Sequence, residues 1–273
     1  METIASRHNA VVKTFRALAR RRAAGNTHVL LEGEHLLEEA LAAGIHVSTA
    51  ALASRVLTRV VDADEASVAR LAERLKRHGA RVLSVSESVM AAMSPVQTPS
   101  GVVAIAEVSP PQLERVVDGA LPLVPLLAGV QDPGNLGAVV RTAEAAGATG
   151  LVVCPPSADP YGWKALRGAM GSTFRLPVPE RVPLHEALLA ARRRGLTIAA
   201  AVPRGGTSMH AFDFRRPLAL MLGGEGTGLG SAELDHADER VTIPMCAPVE
   251  SLNVSVSAAL ILYEAFRQRT HTP

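Results

Sequence analysis

The sequence is poor in aromatic residues: one Trp, two Tyr and five Phe among 273 residues, about 3%. Its core must therefore be aliphatic, and a nucleic-acid surface built on a platform of many stacked rings is excluded. Two cysteines, Cys154 and Cys246, are too few to staple a chain of this length. Neither has a Cys or His partner at metal-ligand spacing, so no disulfide framework and no metal site are expected. That usage fits a reducing cytosol. Uncharged apolar runs all fall short of the roughly 20 residues needed to cross a bilayer. The opening METIASRHNAVVK lacks the apolar core of a secretory signal, so a cytoplasmic protein with no membrane partner is expected. Net charge is nearly absent too, with 28 Lys+Arg against 26 Asp+Glu leaving +2. With 48% of residues hydrophobic, that balance excludes a disordered chain, and the length allows one large domain or two ordinary ones.

The charge is unevenly placed. Residues 1–30 carry Arg7, Lys13, Arg16, Arg20, Arg21 and Arg22 against Glu2 alone. Such a block steers a polyanion, although its plain reading is the solvated rim of an amphipathic helix.

Short β-branched runs alternate with helical stretches. THVLLEG, a short stretch near Ile45, ARVLSV and GVVAIAEV read as strands, with helices over 34–43, 64–78 and 87–93, the last capped by Ser86. A boundary falls near residue 107, and 108–120 reads as a short linking helix. PLVPLLAGV is then nearly unbroken in apolar residues, as in strands buried on both faces, which predicts a parallel sheet. TGLVVC, LTIAAAV, PLALMLG and RVTIPM continue it, with helices near 134–146, 182–194 and 253–268. Ligands of such a domain sit at the carboxyl ends of its strands.

Three loops at those ends stand out. GVQDPGNLGAVVRTAEAAGATG, residues 129–150, turns at Asp132–Asn135 and runs into a helix whose Leu136, Val139, Val140 and Ala143 form a buried stripe. Asn135 and Arg141 lie off that stripe, and Arg141 with Glu144 is also placed to be a plain surface pair. LMLGGEGTGLG, residues 220–230, holds five glycines in eight residues, implying close approach of a ligand to the main chain. It matches a dinucleotide fingerprint only loosely, and Glu225 within it would repel a pyrophosphate. IPMCAPVESLNVSVSAALILYEAF, residues 243–266, places Ser251 and Asn253 at the entrance of a helix with apolar Val256, Ala259, Leu260 and Tyr263. Either polar residue alone reads as an N-cap.

Taken together, NLGAVVRTAEAAGA, LGGEGTGLG and IPMCAPVESLNVSVSAALILYEAF resemble, in order and spacing, the three motifs of the SPOUT superfamily, within it the SpoU/TrmH-type RNA ribose 2'-O-methyltransferases. The likeness covers about residues 122–270. VLLEGEHLLEEAL, residues 29–41, and the strand ending near 107 resemble, more loosely, the small ribosomal-protein-like RNA-binding domain in front of many such enzymes. The resemblance implies an α/β chain: a small RNA-binding α/β domain over 1–107 and a parallel-sheet SPOUT domain with a deep trefoil knot over 108–273. It implies S-adenosyl-L-methionine (AdoMet) as cofactor, with Gly223, Ile243 and Leu252 at adenosine-contacting positions and Gly224 and Met245 beside them. Relatives often carry Asn or Ser where Gly224 stands.

For catalysis the resemblance assigns Arg141 to the ribose 2'-hydroxyl, and Asn135 and Glu225 to the catalytic pocket, Glu225 as a group able to orient the Arg141 guanidinium. Ser251 and Asn253 fill the remaining polar positions. Because DNA has no 2'-hydroxyl, the implied partner is RNA, most simply 23S ribosomal RNA, and the implied assembly is a homodimer through the C-terminal domain. Arg7, Arg20, Arg21, Arg22 and Arg167, with Arg175, are the candidate RNA-binding residues. Trp163, in the YGWKALRGAMGS segment, is placed either to stack on a base or to anchor a loop. The nine histidines are scattered and read as structural, and Cys246 as a small buried filler. A tRNA methyltransferase, a noncatalytic RNA-binding or ribosome-assembly protein, and a nicotinamide or flavin oxidoreductase remain as alternatives.

Overall fold

The computed structural model describes residues 1–20, 25–58 and 66–270, and contact density divides the chain into two units, Met1–Ser109 with Tyr161–Phe174, and Pro110–Pro160 with Arg175–Pro273. The first break lies two residues beyond the expected boundary. The 161–174 segment, which falls within the expected C-terminal domain, packs into the first unit.

In the first unit, β1 (Glu2–Ile4), β2 (His28–Glu32), β3 (His46–Ala53), β4 (Arg81–Val85) and β5 (Val102–Glu107) form a mixed sheet in the order β1-β4-β3-β5-β2. β3 runs parallel to β4 and antiparallel to β5. Its alternating side chains feed two cores. One collects Leu31, Leu37, Leu52, Leu71 and Leu75, so the Ala66–Arg77 helix docks the stripe its period marks. The other collects Phe15, Leu30, Leu83, Met90 and Met93 and seats the Ala10–Arg20 helix. Trp163 is half buried at that second core and donates its indole N–H to the Ala19 carbonyl at 3.1 Å, which is the anchoring role. Ser86 precedes the Glu87–Met93 helix without a side-chain capping bond.

In the second unit, β6 (Leu123–Ala128), β7 (Val152–Cys154), β8 (Thr197–Ala201), β9 (Thr207–Ser208), β10 (Leu218–Gly223) and β11 (Glu239–Thr242) form an all-parallel sheet in the order β7-β6-β10-β8-β11-β9. β6 and β10 are fully paired and sit mid-sheet, which is why their sequences are almost wholly apolar. The linking helix is shorter than expected, Glu114–Val117. Helices Pro133–Ala145, Leu184–Arg193 and Val254–Thr270 cover the sheet. The last of these is secured at its end by Arg269, whose guanidinium donates to the carbonyls of Leu121 and Phe214 at 2.8 Å, Arg216 at 2.7 Å and Pro122 at 3.3 Å. Those carbonyls lie at the entries to β6 and β10, so one side chain ties the C-terminal helix to the two central strands. Replacing Arg269 by Ala is expected to cost about 2–4 kcal/mol in urea denaturation; a loss under about 0.5 kcal/mol would contradict this tie.

Candidate functional site

The carboxyl edge of the second sheet carries the site, and each loop there has a local reason for its path. After β6, Asp132 accepts from the Asn135 amide at 2.8 Å and Pro133 occupies the first helical turn, so the DPGN stretch is a capped helix start. Upstream, the Ser157 hydroxyl accepts from the Gly129 and Val130 amides, each at 3.0 Å. After β10, Gly226 and Gly228 take φ of 88° and 63° and fold the loop back until Gly228 bridges Gly224. A Cβ at Gly224 would lie 1.8 Å from the Gly129 carbonyl oxygen, and one at Gly223 2.2 Å from the Gly228 carbonyl carbon. The closest approach to these two glycines is thus the protein's own backbone. No side chain fits at Gly224 unless the β6 and β10 loops move apart, which accounts for the lack of a polar side chain there.

A chain of hydrogen bonds joins three loops. Glu225 accepts from the Gln131 amide at 3.0 Å, the Asp132 amide at 3.4 Å and the Asn135 side-chain amide at 2.8 Å. Asn135 Oδ1 in turn accepts from Asn253 Nδ2 at 3.1 Å. Asn253 Oδ1 accepts from the Ser255 amide at 2.8 Å, the Val256 amide at 3.4 Å and the Ser255 hydroxyl at 2.6 Å, capping the last helix. A carboxylate only accepts, so it dictates the orientation of Asn135, and Asn135 dictates that of Asn253. Asn253 is therefore both the helix cap and a link in the network. Burial raises the Glu225 pKa, but the hydrogen bonds from Asn135 and the Gln131 and Asp132 amides outweigh it and hold the carboxyl below its ordinary 4.5. So engaged, Glu225 positions the loops and is no proton acceptor near neutral pH.

Beside this network opens a cleft of about 720 Å³, bounded by Gly223–Leu229, Ile243, Met245 and Ser251–Val254 together with Ala201–Arg204 and Arg240. The expected cofactor positions Gly223, Gly224, Ile243, Met245 and Leu252 all line it, as do Glu225, Ser251 and Asn253. Asn135 joins through its hydrogen bonds. Arg141 does not line the cleft. It is exposed on the Pro133–Ala145 helix, about 9 Å along the axis from Asn135 by helix rise. Two expectations for it are corrected. Glu225 does not orient it, being occupied by Asn135 and two amides, and Glu144 does not pair with it, being held by Arg175 at 2.6 and 3.0 Å. Among the described residues the Arg141 side chain makes no hydrogen bond or ion pair, and Arg175 is committed to Glu144.

Of the other candidates, Arg20 and Arg167 are exposed, Arg7 donates Nε to the Ser88 carbonyl at 2.9 Å, and Arg21 and Arg22 lie outside the described residues. Cys246 is exposed and not a buried filler, whereas Cys154 is buried and its thiol is pushed up to about 12 by desolvation. The apolar positions read in the last helix also face differently: Val254, Ala258, Ile261, Leu262 and Ala265 are buried, while Val256, Leu260 and Tyr263 are exposed. Sequence reasoning misses Ser255 and Ser157. Ser255 has a weak local signal two residues after a capping Asn, and Ser157 has none, since its partners are 27 and 28 residues away. Among the described residues no helix is long and apolar enough to cross a membrane.

Loops converging on a cleft at the carboxyl edge of a parallel sheet define a small-molecule-binding α/β enzyme site. Residues 122–263 match the SpoU rRNA Methylase family, and residues 9–104 match the MRM3-like substrate binding domain. The chain belongs to the SpoU rRNA methylase family. It is 31% identical, over 96% of its length and 98% of the relative's, to the 23S rRNA (guanosine(2553)-2'-O)-methyltransferase RlmP of Bacillus subtilis. It is similar to an AdoMet-bound rRNA methyltransferase from Sinorhizobium meliloti, with a TM-score of 0.84, 28% identity and 97% of both chains covered. It is also similar to the AdoMet complex of AviRb from Streptomyces viridochromogenes, with a TM-score of 0.81, 29% identity and coverage of 96% of this chain and 99% of that one.

Glu225 has a lowered pKa, so its carboxylate stabilises the loops fully above about pH 4.5, and that contribution is lost as pH falls through the folded value. Thermal melts from pH 3 to 7 should therefore show wild type losing its advantage over Glu225→Gln below about pH 4.5. Parallel curves for the two proteins would contradict the network.

Proposed function

We propose that this protein transfers the methyl group of AdoMet to a ribose 2'-hydroxyl in ribosomal RNA, within 23S rRNA. The observation that carries this reading is the cleft itself, flanked by the Asn135–Glu225–Asn253 network, in a chain that follows an AdoMet-bound rRNA methyltransferase over 97% of its length. The residues fit the cofactor. About 720 Å³ lies within the roughly 300–1,000 Å³ of small-molecule sites, apolar Ile243, Met245 and Leu252 suit a nucleoside, and the glycine loop presents main chain. The trefoil knot belongs to the same reading, supported by the shared lining of the cleft by the β10 loop and the segment before the last helix.

When bound, AdoMet supplies a methyl group already electrophilic on its sulfonium. The chain must then place a ribose hydroxyl in line and stabilise the charge it develops. Arg141 suits the stabilising role, because it is exposed, its side chain bonds to no other described residue, and a guanidinium brings positive charge and several N–H donors. It therefore stabilises the oxyanion that develops as the hydroxyl proton passes to solvent, and does not itself act as a base. Asn135, held at both ends of its amide, fixes the entry of the helix that carries Arg141. Ser251 contacts the target nucleotide in this reading, supported by its exposure at the cleft.

The N-terminal domain, read from the sequence as 1–107 and joined in the first unit by Tyr161–Phe174, serves as the RNA-binding domain, with Arg7, Arg20 and Arg167 on its surface, and DNA is excluded because it lacks the reacting hydroxyl. The enzyme acts in the cytoplasm as a homodimer through the C-terminal domain, 108–273. The dimer is supported by Val256, Leu260 and Tyr263, 46%, 40% and 50% exposed at i, i+4 and i+7 on the last helix.

With AdoMet and 23S rRNA, Arg141→Ala is expected to bind AdoMet within about twofold of wild type in calorimetry yet lose about 100-fold or more in methyl transfer. Equal loss of binding and transfer would contradict the assigned role. Arg20→Ala and Arg167→Ala should each weaken RNA binding and lower the slope of log K against log salt by about one unit; unchanged slopes would move the RNA surface elsewhere.

A further inference from the structure

We infer that Arg204 and Arg240 form an anion-binding subsite in the cleft and that its ligand is the carboxylate of the methionine part of AdoMet. The inference rests on the proposed function and deepens it. Only three charged residues line the cleft among the described residues: Arg204, Glu225 and Arg240. Glu225 is already bound by Asn135 and two amides. The side chains of the two arginines make no hydrogen bond or ion pair among the described residues; Arg175, Arg192, Arg194, Arg216 and Arg267 of the same unit are held by carboxylates, while Arg141, equally without a partner, lies outside the cleft.

Backbone pairing brings together the segments that bear them. The Val202 amide donates to the Val241 carbonyl at 2.9 Å, the Gly206 amide donates to the Thr242 hydroxyl at 3.0 Å, and Thr207 pairs with Val241. Gly206 lies so near β11 that a Cβ there would sit 2.9 Å from the Arg240 carbonyl oxygen. The 202–207 segment, which contains Arg204, therefore runs along β11, the strand that bears Arg240. Both guanidiniums border one cleft with no protein carboxylate bonded to either, a charge that an anion entering the cleft would balance, and the flat two-oxygen end of a carboxylate matches guanidinium fork geometry. AdoMet has one such group. Its sulfonium, ammonium and adenosine have no use for a second positive charge. The apolar Ile243 and Met245, just beyond β11, line the same cleft, and a ligand with its nucleoside on them has its remaining part in a space bordered also by Arg204 and Arg240.

The test compares S-adenosylhomocysteine with 5'-methylthioadenosine, which keeps the nucleoside thioether and lacks the amino acid. Calorimetry is run on full-length wild type, Arg204→Gln, Arg240→Gln and the double variant, with circular dichroism to verify folding. The double variant should bind S-adenosylhomocysteine about tenfold or more weakly and methylthioadenosine within about twofold of wild type. Unchanged S-adenosylhomocysteine affinity, or equal weakening of both ligands, would overturn the assignment. So would a loss of RNA affinity with S-adenosylhomocysteine binding intact, which would make the anion an RNA phosphate. Wild type binding neither nucleoside would overturn the proposed function, and the subsite with it.

Discussion

The carboxylate of Glu225 holds together parts of the chain that local structure leaves separate. Its partners Gln131, Asp132 and Asn135 are 90 to 94 residues away, and through Asn135 it is linked to Asn253, which is 118 residues from Asn135. Glycine-rich and capping segments have wide conformational freedom in the unfolded chain, so ordering them needs a strong local constraint. An ionised acceptor facing three N–H donors supplies one, because charge-assisted bonds exceed neutral ones and a missing donor would leave the carboxylate unsatisfied. Since an acceptor-only group also fixes which way each neighbouring amide points, the network sets orientation as well as position.

The glycines complete that constraint from the backbone side. Gly223 and Gly224 are needed where loop meets loop, and Gly226 and Gly228 where the loop reverses. The cleft lining is left with three kinds of group: apolar Ile243, Met245 and Leu252, the engaged carboxylate of Glu225, and the uncommitted side chains of Arg204 and Arg240. Arg141 stands apart, and its freedom follows from Arg175 taking Glu144.

Much of this is legible in the sequence. The unbroken apolar runs of β6 and β10 mark a parallel sheet, and the positions of Asn135, Glu225 and Asn253 at strand ends mark the site. What escapes reading depends on distant partners. Glu225 reads as the partner of a guanidinium, since nothing local reveals that Asn135 and two amides claim it. The five-glycine loop reads as a ligand cradle, because the approach of Gly129 to Gly224 is made between segments far apart along the chain. In the last helix, apolar spacing gives a stripe but not its direction: Val256, Leu260 and Tyr263 face outward because Val254, Ala258, Ile261 and Ala265 hold the buried side. β1 and β9, of three and two residues, are too short for any periodicity to show.

The claim on which everything rests is that these joined loops present AdoMet to a ribose of ribosomal RNA. The most direct measurement is mass-spectrometric mapping of 23S rRNA after incubation with the protein and AdoMet. The account predicts one new 2'-O-methylated nucleotide, absent when Arg141→Ala replaces wild type. Methyl groups found only on bases, or no methylation while AdoMet is bound, would contradict it.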